Sequence, residues 1–263
     1  MSLTKLIKGI KKADTLLVTP KIEEFLRREP EGVVWDDDGF RLFREIVERS
    51  RGNEDRSGRF GASSRGTCLR RQVFGYLGMP QLRLLDPDTQ NLFNDGKWRH
   101  LRWQMMGVQS GALTHAEWPT KMTKYRVKVS MDGINTYHSF IFELKGDRNM
   151  SRALDGVPEA HLLQIHTMMM ATGWDLAVYM IEDKSSQNFR EIIVRRDPAI
   201  IRRVRQELEE LNEYVEDRRL PDILPACAAK EGPYRTCPYA AQCVERFQFD
   251  GDTWPDEPGN WDS

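Results

Sequence analysis

The sequence predicts a mixed α/β fold in which a central sheet is flanked by helices and covered by a helical N-terminal segment. Three observations predict it. From Tyr125 to Asp132, apolar Tyr125, Val127, Val129 and Met131 alternate with polar Arg126, Lys128, Ser130 and Asp132, the two-residue period of a half-buried strand. Stretches with helical start and stop signals lie on both sides of this segment. After Pro221, periodicity fades while Pro and Gly become frequent and three of the four cysteines gather.

The elements follow in order. The first 55 residues read as short helices. Pro20 after Thr19, with Glu23 in the first turn, marks one start, because proline there forfeits only a hydrogen bond that is missing anyway. Ser63 or Ser64 can cap a helix carrying Cys68, Val73, Phe74 and Leu77, with Gly78 and Pro80 as its stop. Asp86-Pro87 opens a longer helix bearing Leu92, Phe93, His100, Leu101 and Trp103. In the middle, Phe140, Phe142 and Leu144 alternate with Ile141, Glu143 and Lys145. This strand pairs with the preceding one as a hairpin through Gly133–Tyr137. Pro158 to Thr172 is helical and Gly173 stops it. Asp175–Ile181 and Phe189–Val194 are further strands, and Asp197-Pro198 starts a helix that ends before Pro221.

At 263 residues, 40% hydrophobic and 30% charged, the chain is long enough to bury a sizeable core. No apolar run approaches the roughly 18–20 residues needed to cross a bilayer, which excludes a membrane partner of that kind. The opening Met1–Lys8 lacks the apolar stretch of a secretory signal, so a cytoplasmic location is expected. Thirty-nine Lys and Arg against forty Asp and Glu leave a net charge of −1, so a nucleic-acid partner would have to be held by a local basic patch.

Asp132 sits late on the first hairpin strand. Glu143 and Lys145, two apart on the second, leave one face together while Phe142 and Leu144 point the other way. A cross-strand pairing would bring Asp132 beside Glu143. Two adjacent carboxylates repel unless a cation lies between them, and oxygen ligands suit Mg²⁺ or Mn²⁺. A lysine beside such an ion can orient or deprotonate water and steady the charge building on a phosphate, which is what metal-assisted phosphodiester hydrolysis requires. The alternative for Glu-x-Lys is a solvated cross-strand charge pair. Two features count against it: Glu143 follows the apolar run Phe140-Ile141-Phe142, and His100 stands on an otherwise apolar helical face. With Asp132 and Glu143, that histidine would complete a nitrogen–oxygen site that favours Mn²⁺.

The four cysteines, Cys68, Cys227, Cys237 and Cys243, are expected to stay reduced in the cytosol. Four is the number that completes a tetrahedral zinc site or an iron–sulfur cluster. Four unrelated buried thiols is the alternative.

Gly96-x-x-x-His100, then Asp132, then Glu143-x-Lys145, then Gln164 on the next helix, in that order, resembles the PD-(D/E)xK nucleases of the RecB-like branch. The fourth residue after Gln164 is Met168, where that family carries tyrosine. One cysteine before these motifs and three after them is similar to the iron–sulfur subgroup, which includes CRISPR-associated exonucleases. Cys237-Pro238-Tyr239 through Cys243 resembles its Cys-x-Tyr-x-x-x-Cys element and Cys68-Leu69-Arg70-Arg71 its first element. Nine residues separate Cys227 from Cys237, where two are usual in the subgroup.

The resemblance implies a restriction-endonuclease-like mixed sheet with a C-terminal iron–sulfur region. The resemblance runs from about Ser63 to Cys243, and the expected organisation is an N-terminal helical segment over 1–60, a nuclease domain over 61–245 and an acidic tail over 246–263. It implies catalytic roles for Asp132, Glu143, Lys145 and Gln164, and Mn²⁺ or Mg²⁺ held by His100, Asp132, Glu143 and the Leu144 carbonyl. A 4Fe–4S cluster would sit on Cys68, Cys227, Cys237 and Cys243, with zinc as the direct competitor. Such a cluster would staple the early helix to the tail across a loop of about 160 residues, offsetting the entropy of closing it.

The implied function is a DNA exonuclease working on single strands or free ends in recombination, repair or CRISPR adaptation, in a bacterial or phage-infected cytosol. Oligomers and a recombinase, helicase or adaptation protein are the implied partners. Arg70, Arg71 and Arg99, with Gln164, are the candidate DNA contacts, and Trp98 and Trp103 could stack on bases or serve the core. The rival readings are a non-catalytic DNA-binding partner on the same fold and a structure-specific endonuclease. No Gly-x-x-x-x-Gly-Lys-Ser/Thr loop occurs, which argues against an intrinsic ATP-driven motor.

Overall fold

The computed structural model describes residues 15–51, 57–81, 86–148 and 156–243. The expected acidic tail therefore lies outside the described residues. Within them one six-stranded mixed sheet forms, with helices on both faces. Its strands are β1 (Phe60–Gly61), β2 (His115–Met122), β3 (Val127–Asn135), β4 (Phe140–Asp147), β5 (Leu176–Asp183) and β6 (Phe189–Arg195). The main path runs β1-β3-β4-β5-β6, and β2 pairs along β3. The β3–β4 hairpin is antiparallel, β4 and β5 are parallel, and β5–β6 is antiparallel.

The helices are α1 (Thr19–Arg28), α2 (Asp37–Arg51), α3 (Leu69–Tyr76), α4 (Pro87–Gln109), α5 (Glu159–Thr172), α6 (Pro198–Glu216) and the short α7 (Pro225–Ala228). Alternation along the strands sends side chains to two separate cores. Val129, Met131, Ile141, Tyr179 and Ile181 face α5 and α6, meeting Leu163, Met168, Val204 and Leu208. Phe140, Phe142, Leu144, Val178 and Met180 face α1 and α4, meeting Phe25, Trp103 and Met106. Because β4 and β5 are parallel, their connection must cross over the sheet, and α5 is that crossover.

Start signals in the sequence work as read at α4, where the Asp86 side chain accepts the Thr89 N–H at 2.8 Å, and at α6, where Asp197 accepts the Ala199 N–H at 2.7 Å. Three details differ from the sequence reading. Ala62–Ser64 forms a 3₁₀ turn, and α3 begins only at Leu69, with Cys68 as its N-cap. Gly66 breaks the chain between them with φ +72°, where an added Cβ would meet Leu163 at 2.7 Å. Second, β3 runs through Gly133 to Asn135, so the hairpin turn starts later; Asn135 Oδ1 closes it by accepting the His138 N–H at 3.0 Å. Third, His115–Met122 forms the edge strand β2, which periodicity did not reveal because its alternation is irregular and it contains Pro119. Among the described residues no helix is long and apolar enough to cross a membrane.

Candidate active site

The β3–β4 ladder stops at Gly133↔Phe142. Continued by one step, it would pair Asp132 with Glu143. Instead the strands fork there, and Asp132 Oδ2 accepts the Leu144 N–H at 2.7 Å, so a side-chain carboxylate takes the donor that a ladder carbonyl would have taken. The other oxygen, Oδ1, meets His100 Nδ1 at 2.9 Å. His100 comes from α4, and Gln104, one turn further on, ties that helix to the fork by donating to the Asp132 carbonyl at 3.1 Å. The Asp132 charge, first of all, raises the His100 pKa. Burial alone would raise Asp132, but His100 and Lys145 outweigh it and hold the carboxyl below its ordinary range.

Glu143 is 2% exposed at the inner end of the fork. Its Oε1 accepts from Lys145 Nζ and, at 2.6 Å, from Gln164 Nε2 on α5. Burial, with the Asp132 charge added to it, pushes the Glu143 carboxyl up to about 7. Burial works to lower Lys145, yet Glu143 and then Asp132 prevail and raise it, so the side chain is an ammonium at neutral pH. The Leu144 side chain is buried in the α1–α4 core, and only its main chain serves the fork. His100, Asp132, Glu143, Lys145 and Gln164, drawn from two strands and two helices, therefore converge, and the main chain of Leu144 joins them.

The donor set, an imidazole nitrogen and two carboxylates, is chemically suited to Mn²⁺ or Mg²⁺. As the side chains stand, no group of three His, Cys, Asp or Glu among the described residues is gathered into a ready metal site. The oxygens that would turn to an ion are here engaged by His100, the Leu144 N–H, Lys145 and Gln164.

Sequence reasoning missed Glu117. It lies on β2 between the pairs Ala116↔Gly133 and Trp118↔Met131, which sets it opposite Asp132, with φ +47°. Gln104 Nε2 donates to its Oε1 at 2.7 Å and Ser130 Oγ to its Oε2 at 2.9 Å. Burial, then the Asp132 charge, raises its pKa. Recognising β2 in the sequence, despite Pro119, would have been the signal that finds it.

No protein-family profile matches the chain, and no curated protein does. Solved structures give likenesses of shape at low identity. The chain is similar to an alkaline exonuclease, LHK-Exo, from Laribacter hongkongensis, with 16% identity and a TM-score of 0.43 over 65% of this chain and 92% of that one. It is similar to SSO0001, with 15% identity and a TM-score of 0.49 over 81% of this chain and 98% of that one. A phage-related exonuclease from Haemophilus somnus 129PT gives 13% and 0.45, over 59% and 92%. The side chains just described, rather than these likenesses, carry the functional reading.

The cysteines form a second cluster. None is in a disulfide. Cys68 caps α3, Cys227 lies in α7, and Cys237 and Cys243 follow the 3₁₀ turn Gly232–Thr236. Burial raises the Cys227 thiol, and Cys68 and Cys237 are near enough to add to it. Cys243 is likewise raised by burial, against the pull of Arg70 and with Cys68 and Cys227 adding. Cys227 thus lies within reach of the charges of the other three, although among the described residues no three cysteines are gathered into a ready metal site. Apolar packing holds the tail there, with Tyr239 against Phe74 of α3 at 5.7 Å between ring centroids.

The arginines divide. Arg70 is buried, donating to the Pro221 carbonyl at 2.7 Å and bonding Cys243, so it serves the thiol cluster rather than an open DNA surface. Arg99 is buried between Asp95 at 3.0 Å and Glu182 at 3.5 Å, so it too is spent inside the fold. Arg71 is exposed. Of the two tryptophans, Trp103 is core and Trp98 is 65% exposed.

Proposed function

We propose that this chain is a metal-dependent DNA exonuclease of the PD-(D/E)xK kind, acting on DNA ends in recombination, repair or CRISPR adaptation, with a 4Fe–4S cluster stapling its tail to α3. The observation that carries the reading is the convergence of His100, Asp132, Glu143, Lys145 and Gln164 on a fork where a buried carboxyl is driven up to about 7. His100, Asp132, Glu143 and the Leu144 carbonyl would hold Mn²⁺ or Mg²⁺. When bound, the ion supplies positive charge to the phosphate and to the attacking water.

The chain's own residues supply the rest. Lys145, held by Glu143, orients or deprotonates the attacking water and steadies the charge building on the phosphate. Gln164 fixes the Glu143 carboxylate from the α5 side, while His100 and the Leu144 N–H fix Asp132. The two carboxylates are thereby held in place before substrate arrives. Cys68, Cys227, Cys237 and Cys243 would hold the cluster, and the buried guanidinium of Arg70 beside Cys243 suits a site that accumulates thiolate charge.

Digestion of end-labelled linear and covalently circular DNA in Mn²⁺ or Mg²⁺ tests this. Linear DNA is expected to lose label from its ends, circles to survive, and Lys145→Ala to lose activity by on the order of 10²–10⁴-fold while keeping its fold. Cleavage of circles would replace the exonuclease reading with an endonuclease. Full activity in the Lys145 variant, or no digestion in either metal, overturns the proposal.

A further inference from the structure

One turn before Gln164 on α5 stands His161, on the same helical face. It meets Tyr179 of β5, the residue that lies opposite Glu143 in the β4–β5 register. The Tyr179 hydroxyl and His161 Nδ1 are 2.8 Å apart, and among the described residues Nδ1 is the acceptor this hydroxyl has. Burial, then the Glu143 and Asp147 charges, raises the Tyr179 phenol, so it keeps its proton and donates. Burial, then Lys145, lowers the His161 imidazole to about 4, so the ring is neutral near pH 7. With Nδ1 accepting, the ring proton sits on Nε2. Among the described residues no hydrogen bond reaches that nitrogen, and the side chain is half-buried rather than sealed.

Glu143, Lys145 and Asp147 follow one another on one face of β4 at intervals of about 6.6 Å. Gln164 touches the first of them, while His161 feels the charges of the other two. His161 therefore stands one step along β4 from the candidate centre. At His161 the Asp147 charge opposes that of Lys145, and Asp147 has a partner of its own. A neutral N–H donor suits an acceptor-only group passing these two opposite charges, and the phosphates of a nucleic-acid strand are such groups.

We propose that His161, its tautomer locked by Tyr179, contacts substrate by donating Nε2–H to a non-bridging oxygen of a DNA phosphate directly flanking the one cleaved. This rests on the nuclease reading above. The test is steady-state cleavage of short single-stranded DNAs carrying a neutral methylphosphonate at one or other linkage flanking the scissile one. With normal DNA, His161→Ala is expected to raise KM by about 10–100-fold with a smaller change in kcat. His161→Gln, whose amide keeps a donor, should recover part of that loss, and Tyr179→Phe should show a weaker version of it. At one of the two linkages the methylphosphonate should slow the wild type yet add nothing in His161→Ala. Unchanged KM in the alanine variant, additive penalties at both linkages, or equal losses in the alanine and glutamine variants would overturn the contact while leaving the nuclease reading intact. A wild-type protein that cuts none of these DNAs overturns both.

Discussion

Glu143 concentrates the chemistry of the fork in one carboxyl. A carboxyl whose folded pKa is raised contributes stability that is complete below its unfolded value and is lost as pH rises through the folded value. Glu143 moves from an ordinary 4.5 up to about 7, so the metal-free protein loses this contribution across that window. His161, lowered from 6.5 to about 4, acts with the opposite sign, adding stability as pH rises between those values. It is common to wild type and variant and drops out of their difference. Glu143→Gln keeps the neutral form at every pH. In chelated buffer it is expected to melt with wild type near pH 4.5 and above wild type near pH 8, and thermal melts across that range check it. A variant that never overtakes wild type contradicts the buried-charge argument. Glu143 and Lys145 were legible as a pair because strand alternation puts both on one face, and Asp132 was legible from the hairpin register rather than from alternation, since Met131 and Ile141 share one core. Glu117 was not, because its proximity to Asp132 depends on an edge strand whose pattern Pro119 obscures.

The elements that aim these residues are tied together by other buried carboxylates. Glu191 on β6 receives the N–H groups of Leu17 and Thr19, both at 2.7 Å, and of Val18 at 3.1 and 3.3 Å, so a distant strand satisfies the opening of α1. The proline start of α1 was readable at Pro20, but a cap supplied from more than 170 residues away leaves no local trace. Glu191→Ala is expected to cost about 1–3 kcal/mol in urea denaturation and to speed amide exchange at the start of α1. An unchanged midpoint would show that α1 is held by its apolar face alone. Glu182 plays the matching part for α4, accepting from Arg102 at 2.5 Å and from Trp103, next to the turn that presents His100. The hairpin, α5 and α6 were read nearly as they stand, since caps, glycine stops and periodicity agree there. The opening of α3 was misplaced because a 3₁₀ turn and a left-handed Gly66 intervene between the serines and the helix.

Across the whole molecule, two groups of residues lie at different places on one sheet-centred frame: the fork, and the cysteines of the α3 N-cap and the tail. The sequence suggested the second by count and order alone, and the fold adds the Phe74–Tyr239 contact and the buried Arg70. Anaerobically purified protein is expected to absorb near ~400 nm, and Cys68→Ala to lose that band and melt lower. Colourless wild type carrying stoichiometric zinc would end the iron–sulfur assignment while leaving a staple. The fork itself stands or falls on whether its two carboxylates take a cation together. Titration of Mn²⁺, followed by electron paramagnetic resonance of the free ion with melting as a second readout, is expected to show stoichiometric binding and a raised melting temperature in wild type. Asp132→Asn and Glu143→Gln should each lose both effects; unaltered binding in those variants, or none in wild type, would contradict a metal centre at the fork.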